Sequence, residues 1–376
     1  MGKSYKYRIY PNKEQKILLE KHFGATRWIF NWGLEQKVKA YQKDKSSISC
    51  FQLANKLSEL KKENEWLKEI NAQSLQMSLR NLDNAYTAFL KKQNKFPKFK
   101  SKKDKKSFSI PQGNKIDWEN KKSKFIKLGN IKAKFDRQFR GNIIKATISK
   151  NTINQYFVSY TINTNEEIIK PTKIKEKTTI GIDLGIKNFA VLSNGKRIDN
   201  PKYLRKSEKR LKVLCRRLSK KQKRSKNRLK AKFRLNKLYN KISNQRSNFI
   251  HNFTYQLTHD NQVDTYAIEN LNIKGMIKNH HLAKSIADVS WSEFIKQITY
   301  KSKWYGKNLL TIGRFEPSSK MCSCGYINKE LKLSDRNWIC PVCKLEHDRD
   351  ILAANNIKKF ALSPLLKRVE PVELSQ

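Results

Sequence analysis

The chain has 376 residues, with 81 Lys and Arg against 32 Asp and Glu, and a formal net charge of +49 at pH 7. A charge of that size opposes compaction until a polyanion neutralises it; nucleic acid is the usual one, with anionic lipid or simple solubilisation as the competing explanations. At 38% hydrophobic residues there is enough for real cores, yet no apolar run is long enough to span a bilayer and no signal-type segment follows Met1, so we expect a cytoplasmic, nucleoid-associated protein of two or three domains with no membrane partner.

In chain order, Tyr5 to Tyr10 alternates like a strand, and Pro11-Asn-Lys-Glu-Gln15 turns it into helix. Ile17, Leu18, Phe23, Trp28, Phe30 and Trp32 supply an apolar helical surface. Leu75, Leu79, Leu82, Tyr86 and Phe89 fall on one face of a later helix, so 12–92 reads as a small helical bundle. Gln73, Gln76 and Arg80 on that helix are placed to touch a nucleic-acid groove; a solvated polar face would look the same. Phe96-Pro-Lys98-Phe-Lys100 and the lysines after it interleave aromatics with cations, as phosphate contact plus base stacking requires, or as a solvated linker would.

From 107 to 168 the pattern is strand-like, as in Ile143 to Ser149 and Tyr156 to Ile162, with Gly129 and Gly141 as turns. These strands and the first one predict a small β-barrel over 1–11 and 93–170, with the helices inserted after its opening strand. Lys170 to Lys177 reads as a linker. Residues 203–258 read as long basic helices, with Leu211, Leu214 and Leu218 in one apolar stripe and Leu235, Leu238 and Ile242 in another. The remaining faces line a polyanion channel, or belong to a coiled-coil hairpin with a solvated exterior. Residues 363–376 read as an unstructured tail.

Two groups carry chemistry. Asp183 ends the apolar run Ile180-Gly-Ile-Asp-Leu-Gly, Glu269 ends the strand-like Val263 to Glu269, and Asp350 opens a helix-like segment. Hard divalent cations such as Mg²⁺ prefer carboxylate oxygens and bind jointly with substrate phosphates, so three acids on separate elements can converge on a hydrolytic centre. Gly181 to Gly185 taken alone also fits an actin-like ATPase. Cys322, Cys324, Cys340 and Cys343 suit a closed tetrahedral Zn²⁺ site; a metal-free loop, or His347 in place of one thiolate, are the alternatives. Cys50 and Cys215 have no partner at ligand spacing and read as packing residues.

In combination these motifs resemble TnpB, the transposon-associated nuclease family ancestral to type V CRISPR effectors, over nearly the whole chain. The resemblance is carried by Tyr7 to Gln15, Phe96 to Lys100, the 143–162 hairpin, Leu218 to Lys221, Ser225 to Arg228 and Asn244 to Arg246. It continues in Pro317 to Lys320, the cysteines, and His347-Asp-Arg-Asp350 with Ala353, Ala354 and Asn356. Two positions depart from the pattern: Leu352 stands where the family often has Asn, and one residue rather than two separates Cys322 from Cys324.

The resemblance implies an α/β RNase H-like (RuvC) nuclease domain over 176–202, 259–314 and 347–362. A basic helical insertion (203–258) and a zinc-ribbon insertion (315–346) interrupt it, and an N-terminal wedge β-barrel carries the inserted helical bundle. It implies Asp183, Glu269 and Asp350 as the catalytic triad holding Mg²⁺ or Mn²⁺, with the second aspartate of Asp348-Arg-Asp350 as the acid. Gln73, Gln76, Lys98, Lys100, Lys221, Arg228, Arg246 and Arg349 are the implied nucleic-acid contacts. The implied partners are a guide (omega) RNA from the transposon end, one protein per RNA, and double-stranded target DNA, cut beside a short adjacent motif by two-metal hydrolysis. A nuclease-inactive RNA-guided repressor or transposition regulator would share the basic channel but not need the acids, and a DDE-type transposase would share the acid chemistry.

Overall fold

Asn12 accepts a bond from the Gln15 amide (2.8 Å) while the Gln15 side chain accepts one from the Asn12 amide (3.1 Å). This capping box ends the strand β1 (Gly2–Tyr10) and starts the long helix α1 (Lys13–Asp44). The computed structural model describes residues 2–366 apart from 168, 261 and 333. The chain divides into two units, Met1–Glu167 and Ile168–Gln376.

In the first unit α1 is followed by α2 (Cys50–Asn55), α3 (Leu57–Glu63), a 3-10 turn (Glu65–Glu69) and α4 (Ala72–Leu90). Then come the strands β2 (Lys106–Ile110), β3 (Asn114–Asp117), β4 (Lys122–Phe125), β5 (Gly129–Lys134), β6 (Asn142–Lys150) and β7 (Tyr156–Asn163). All pairings are antiparallel, in the order β2-β6-β7-β1-β5-β4-β3, so the first strand lies at the centre of the sheet. Among the described residues the ladder does not close between β2 and β3; the expected barrel is an open seven-stranded sheet in its hydrogen bonding. Tyr7, Ile9, Val158, Tyr160 and Ile162 fill its buried face, joined by Leu19 and Phe23 of α1.

The helices pack through Ala25, Ile29, Leu53, Leu57, Leu67, Leu75 and Leu79. Ile17 (60% exposed) and Trp28 (36%) face outward instead of joining this surface. Both stand roughly 160–180° round the helix from buried Leu19 at about 100° per residue, so the apolar run is wider than the face that packs.

The second unit opens with β8 (Thr179–Leu184), β9 (Asn188–Leu192) and β10 (Arg197–Asp199), then the helical hairpin α5 (Tyr203–Ser219) and α6 (Lys226–Thr258). It continues with β11 (Thr265–Glu269), α7 (Ile273–Met276), α8 (His280–Val289), α9 (Trp291–Trp304), β12 (Asn308–Ile312), β13 (Asn337–Ile339), β14 (Glu346–Asp348) and α10 (Arg349–Leu366). The sheet order is β10-β9-β8-β11-β12, with β8, β11 and β12 mutually parallel and β9 and β10 added antiparallel.

Both faces of this sheet are covered, which is why β8 and β11 read as near-continuous apolar runs. Tyr266 and Ile268 pack with Phe189, Phe253, Phe294 and Ile298 on one side, while Ala267 and Ile312 meet Ile357 of α10 on the other. The α5–α6 seam holds Leu211, Leu235, Leu238 and Ile242, flanked by Leu214 and Leu218. Residues 363–366, expected as tail, continue α10, and 367–376 lie outside the described residues. Among the described residues no helix is long and apolar enough to cross a membrane.

Candidate functional site

Parallel strands deliver their C-terminal ends to one edge of a sheet, and here β8 and β11 end there on carboxylates. Asp183 lies near the end of β8, Glu269 closes β11, and Asp350 sits in the first turn of α10. All three line one cleft of about 580 Å³, with Lys187, Lys202, Arg205, Arg336 and Arg349 also on its walls. Burial, then the negative charges of Glu269 and Asp350, push the Asp183 pKa up to about 7, against the pull of Arg349 and Arg336. The acids are thus close enough to repel one another, and the cleft brings together three hard oxygen donors of the kind that divalent cations prefer.

The neighbours of each acid differ. Ser318 donates its hydroxyl hydrogen to Glu269 Oε1 at 2.5 Å. Arg336 reaches Asp350 Oδ1 at 3.2 Å. Asp348 does not serve the cleft: it accepts from the amides of Asp350 (3.1 Å) and Ile351 (3.0 Å) and pairs with Arg197 at 2.7 Å. It acts as the cap of α10, whose exposed amides favour a carboxylate there.

The four cysteines form a second centre, their Sγ atoms all within 4.8 Å of one another. Cys322 and Cys343 are 3.4 Å apart and Cys324 and Cys340 3.6 Å. The single residue between Cys322 and Cys324 is accommodated by Gly325, whose φ of +92° lies where residues with a Cβ are strained. Burial raises the Cys322 thiol, but the Cys324 amide and His347 more than reverse this, to about 5. Cys343 is lowered by the Leu345 amide, yet burial and its three sulfur neighbours push it up to about 12. Thiolates crowded this way fit a soft divalent cation, and tetrahedral zinc accepts four of them. His347 Nε2 lies 3.0 Å from Cys322 Sγ and is a fifth donor at the rim. Leu352 is buried against Cys322, Cys340 and Trp338, so the residue that departs from the family pattern packs behind the cysteines.

The expected nucleic-acid contacts are dispersed. In the first unit Gln76 and Lys98 are exposed, Gln73 bonds Gln112 at 3.0 Å, and Lys100 places its ammonium 3.6 Å from the Phe30 ring centroid. In the second, Lys221 is exposed, whereas Arg228 donates to the carbonyls of Leu218 and Lys221, both at 2.8 Å, and closes the helical hairpin. Arg246 pairs with buried Asp288 at 3.0 Å, and Arg349 donates to the Lys332 carbonyl at 3.0 Å. These bonds tie Arg228, Arg246 and Arg349 to neighbouring segments of the fold, and Arg349 also lines the cleft. Cys215, expected to pack, is exposed. Arg336, Lys187, Lys202 and Arg205 reach the cleft but were not singled out in the sequence, where nothing distinguishes them from the other Lys and Arg residues.

Residues 157–280 match the family described as “Probable transposase”, 291–357 a “Cas12f1-like, TNB domain”, and 1–46 a “Helix-turn-helix domain”. The last segment forms a strand and one long helix. A Streptomyces pristinaespiralis protein, provisionally named an RNA-guided DNA endonuclease, is 34% identical over 367 residues, covering 96% of this chain and 90% of that protein. InsQ of Escherichia coli K12, named likewise, is 30% identical over 371 residues, covering 94% and 91%. The fold is also that of the Cas12f1 protein in a complex with single guide RNA and target DNA, at TM-score 0.62 and 14% identity over 95% of this chain and 98% of that one. With the cleft and cysteine cluster above, this likeness over almost the whole length places the chain in the TnpB family.

Proposed function

We propose that this TnpB protein is an RNA-guided DNA endonuclease that hydrolyses phosphodiester bonds in the cleft of Asp183, Glu269 and Asp350. The carrying observation is the convergence of these acids, from two strand ends and a helix start, in one cation-rimmed cleft where burial, and then the charges of Glu269 and Asp350, raise the Asp183 pKa to about 7. The sheet is then the core of an RNase H-like, RuvC-type domain, interrupted by the α5–α6 hairpin and by a zinc ribbon built on the four cysteines. The N-terminal sheet is the wedge domain and α1 to α4 the recognition bundle. The relatives' names support the guided-endonuclease reading; omega RNA and double-stranded DNA are the partners proposed with it.

Asp183, Glu269 and Asp350 would hold Mg²⁺ or Mn²⁺. A pair of such ions supplies an activated water and stabilisation of the leaving oxygen. Arg336, Lys187 and Arg205 along the cleft attract and align the scissile phosphate. Glu269, held by Ser318, keeps a fixed carboxylate, and Asp348 fixes the start of α10 so that Asp350 faces the cleft.

The test is to co-express the protein with its transposon-end RNA, purify the complex, and offer a plasmid with a guide-matched target beside a randomised flank. Guide-dependent linearisation that requires Mg²⁺ and stops with EDTA is the expected result. Tight binding of RNA and target with no cleavage at any Mg²⁺ or Mn²⁺ concentration would replace this reading with that of a guided repressor.

A further inference from the structure

Pro317 to Lys320 and Asn356 form a connected set beside the cleft that the triad alone does not explain. Ser318 is 8% exposed and Asn356 4%. The Ser318 hydroxyl lies 2.5 Å from Glu269 Oε1. The Asn356 amide donates both hydrogens, one to the Ser318 carbonyl at 2.7 Å and one to the Met321 carbonyl at 2.6 Å. Met321 directly precedes Cys322, and Asn356 belongs to α10, the helix whose first turn holds Asp350. One buried side chain therefore ties together the segment bearing the first cysteine, the hydroxyl on Glu269 and the helix carrying Asp350.

We infer that Ser318 is a positioning residue for Glu269, and that Asn356 sets Ser318 in place by fastening the 318–321 backbone to α10. The inference rests on the proposed reading of Glu269 as a metal ligand. A glutamate at the end of a strand has three rotatable side-chain bonds, and a donor fixed on one oxygen removes most of that freedom while leaving the other oxygen for a cation. Asn suits its own position because a buried amide with two donors can satisfy two carbonyls without carrying charge.

Outer partners of this kind commonly change metal affinity or activity by about 10–100-fold. For Ser318→Ala in the protein–RNA complex we expect half-saturating Mg²⁺ to rise by about that factor. Cleavage at saturating Mg²⁺ should recover most of its rate, while zinc content and RNA binding stay unchanged. Ser318→Thr, which keeps the hydroxyl, should restore the Mg²⁺ response. A second readout avoids DNA cleavage: Fe²⁺ with ascorbate should cut the polypeptide near Asp183, Glu269 and Asp350, and Ser318→Ala should need more Fe²⁺ to do so. An unchanged Mg²⁺ and Fe²⁺ response in Ser318→Ala would overturn the inference and leave the triad standing. If Glu269→Gln left Fe²⁺ cutting intact, the triad reading and this inference would fall together.

Discussion

Gly181 and Ala354 meet backbone to backbone: a Cβ added at Gly181 would lie 2.0 Å from the Ala354 carbonyl oxygen and 2.9 Å from the Lys358 amide. Neither atom can swing away, since both belong to the backbone of α10 and Gly181 lies in a central strand. The absent side chain is what lets α10 sit against β8, and so what brings Asp350 to the cleft of Asp183. Gly181→Ala is therefore expected to lower stability by about 1–3 kcal/mol or more and to reduce cleavage sharply. Thermal melting and plasmid cleavage measure the two effects; normal values for both would show that the helix has room to shift.

On the proposed reading, replacing any one acid by its amide removes a metal ligand while keeping the side chain's shape. Asp183→Asn, Glu269→Gln and Asp350→Asn should each cut the cleavage rate by about 10³-fold, the several kcal/mol that metal activation contributes. Guide RNA affinity should change little, and filter binding beside a cleavage time course separates the two. Near-normal cutting by one variant would remove that residue from the triad.

The Asp183 pKa, raised to about 7, sets a pH dependence with a definite sign. In the unfolded chain the same carboxyl titrates near 3.9. Between about pH 4 and 7 the folded, metal-free protein holds a proton that the unfolded chain has released, so its stability falls as pH rises through that window. Asp183→Asn should flatten this part of the melting profile and raise the melting temperature of metal-free protein at pH 8. A divalent cation must displace the proton, so Mg²⁺ binding below pH 7 should release protons, detectable as a buffer-dependent heat in calorimetry.

The cysteine cluster predicts a reactivity pattern. Purified protein should contain about one zinc per chain, the stoichiometry of a closed four-ligand site. Exposed Cys215 should react with a maleimide at once, while Cys322, Cys324, Cys340 and Cys343 react only after chelation. Mass spectrometry of labelled peptides reads the outcome; rapid labelling of Cys324 in zinc-loaded protein would place it outside the ligand set.

Arg246 predicts a cost in folding. Asp288 is 9% exposed, keeps two bonds to the Leu204 amide (3.1 and 3.0 Å), and would lose its only ion-pair partner among the described residues. Arg246→Met should destabilise by about 1–3 kcal/mol, the cost of leaving a buried acceptor short of one partner, while Lys98→Ala should leave melting unchanged and act on nucleic-acid affinity alone.

The sequence made some of this legible and hid the rest for physical reasons. Asp183 and Glu269 could be read because a buried strand that stops on a carboxylate is conspicuous among apolar neighbours. Leu211, Leu235 and Ile242 could be read because helical periodicity survives on a basic background. Gly181 and Ser318 depend on what another segment brings next to them, which local pattern does not encode. Arg228 and Arg246 resemble their neighbours in the sequence, since periodicity ranks faces and not individual cations. Only their carbonyl and carboxylate partners separate them from the exposed lysines.

The wide spacing of the three acids along the chain also bears on biosynthesis. A ribosome makes the strand ending at Asp183 early and that ending at Glu269 well after it, and the helix that starts at Asp350 follows most of the polypeptide. Until that helix emerges and docks on β8, the cleft lacks the wall that carries Asp350, so the site is completed only when nearly the whole chain has been made.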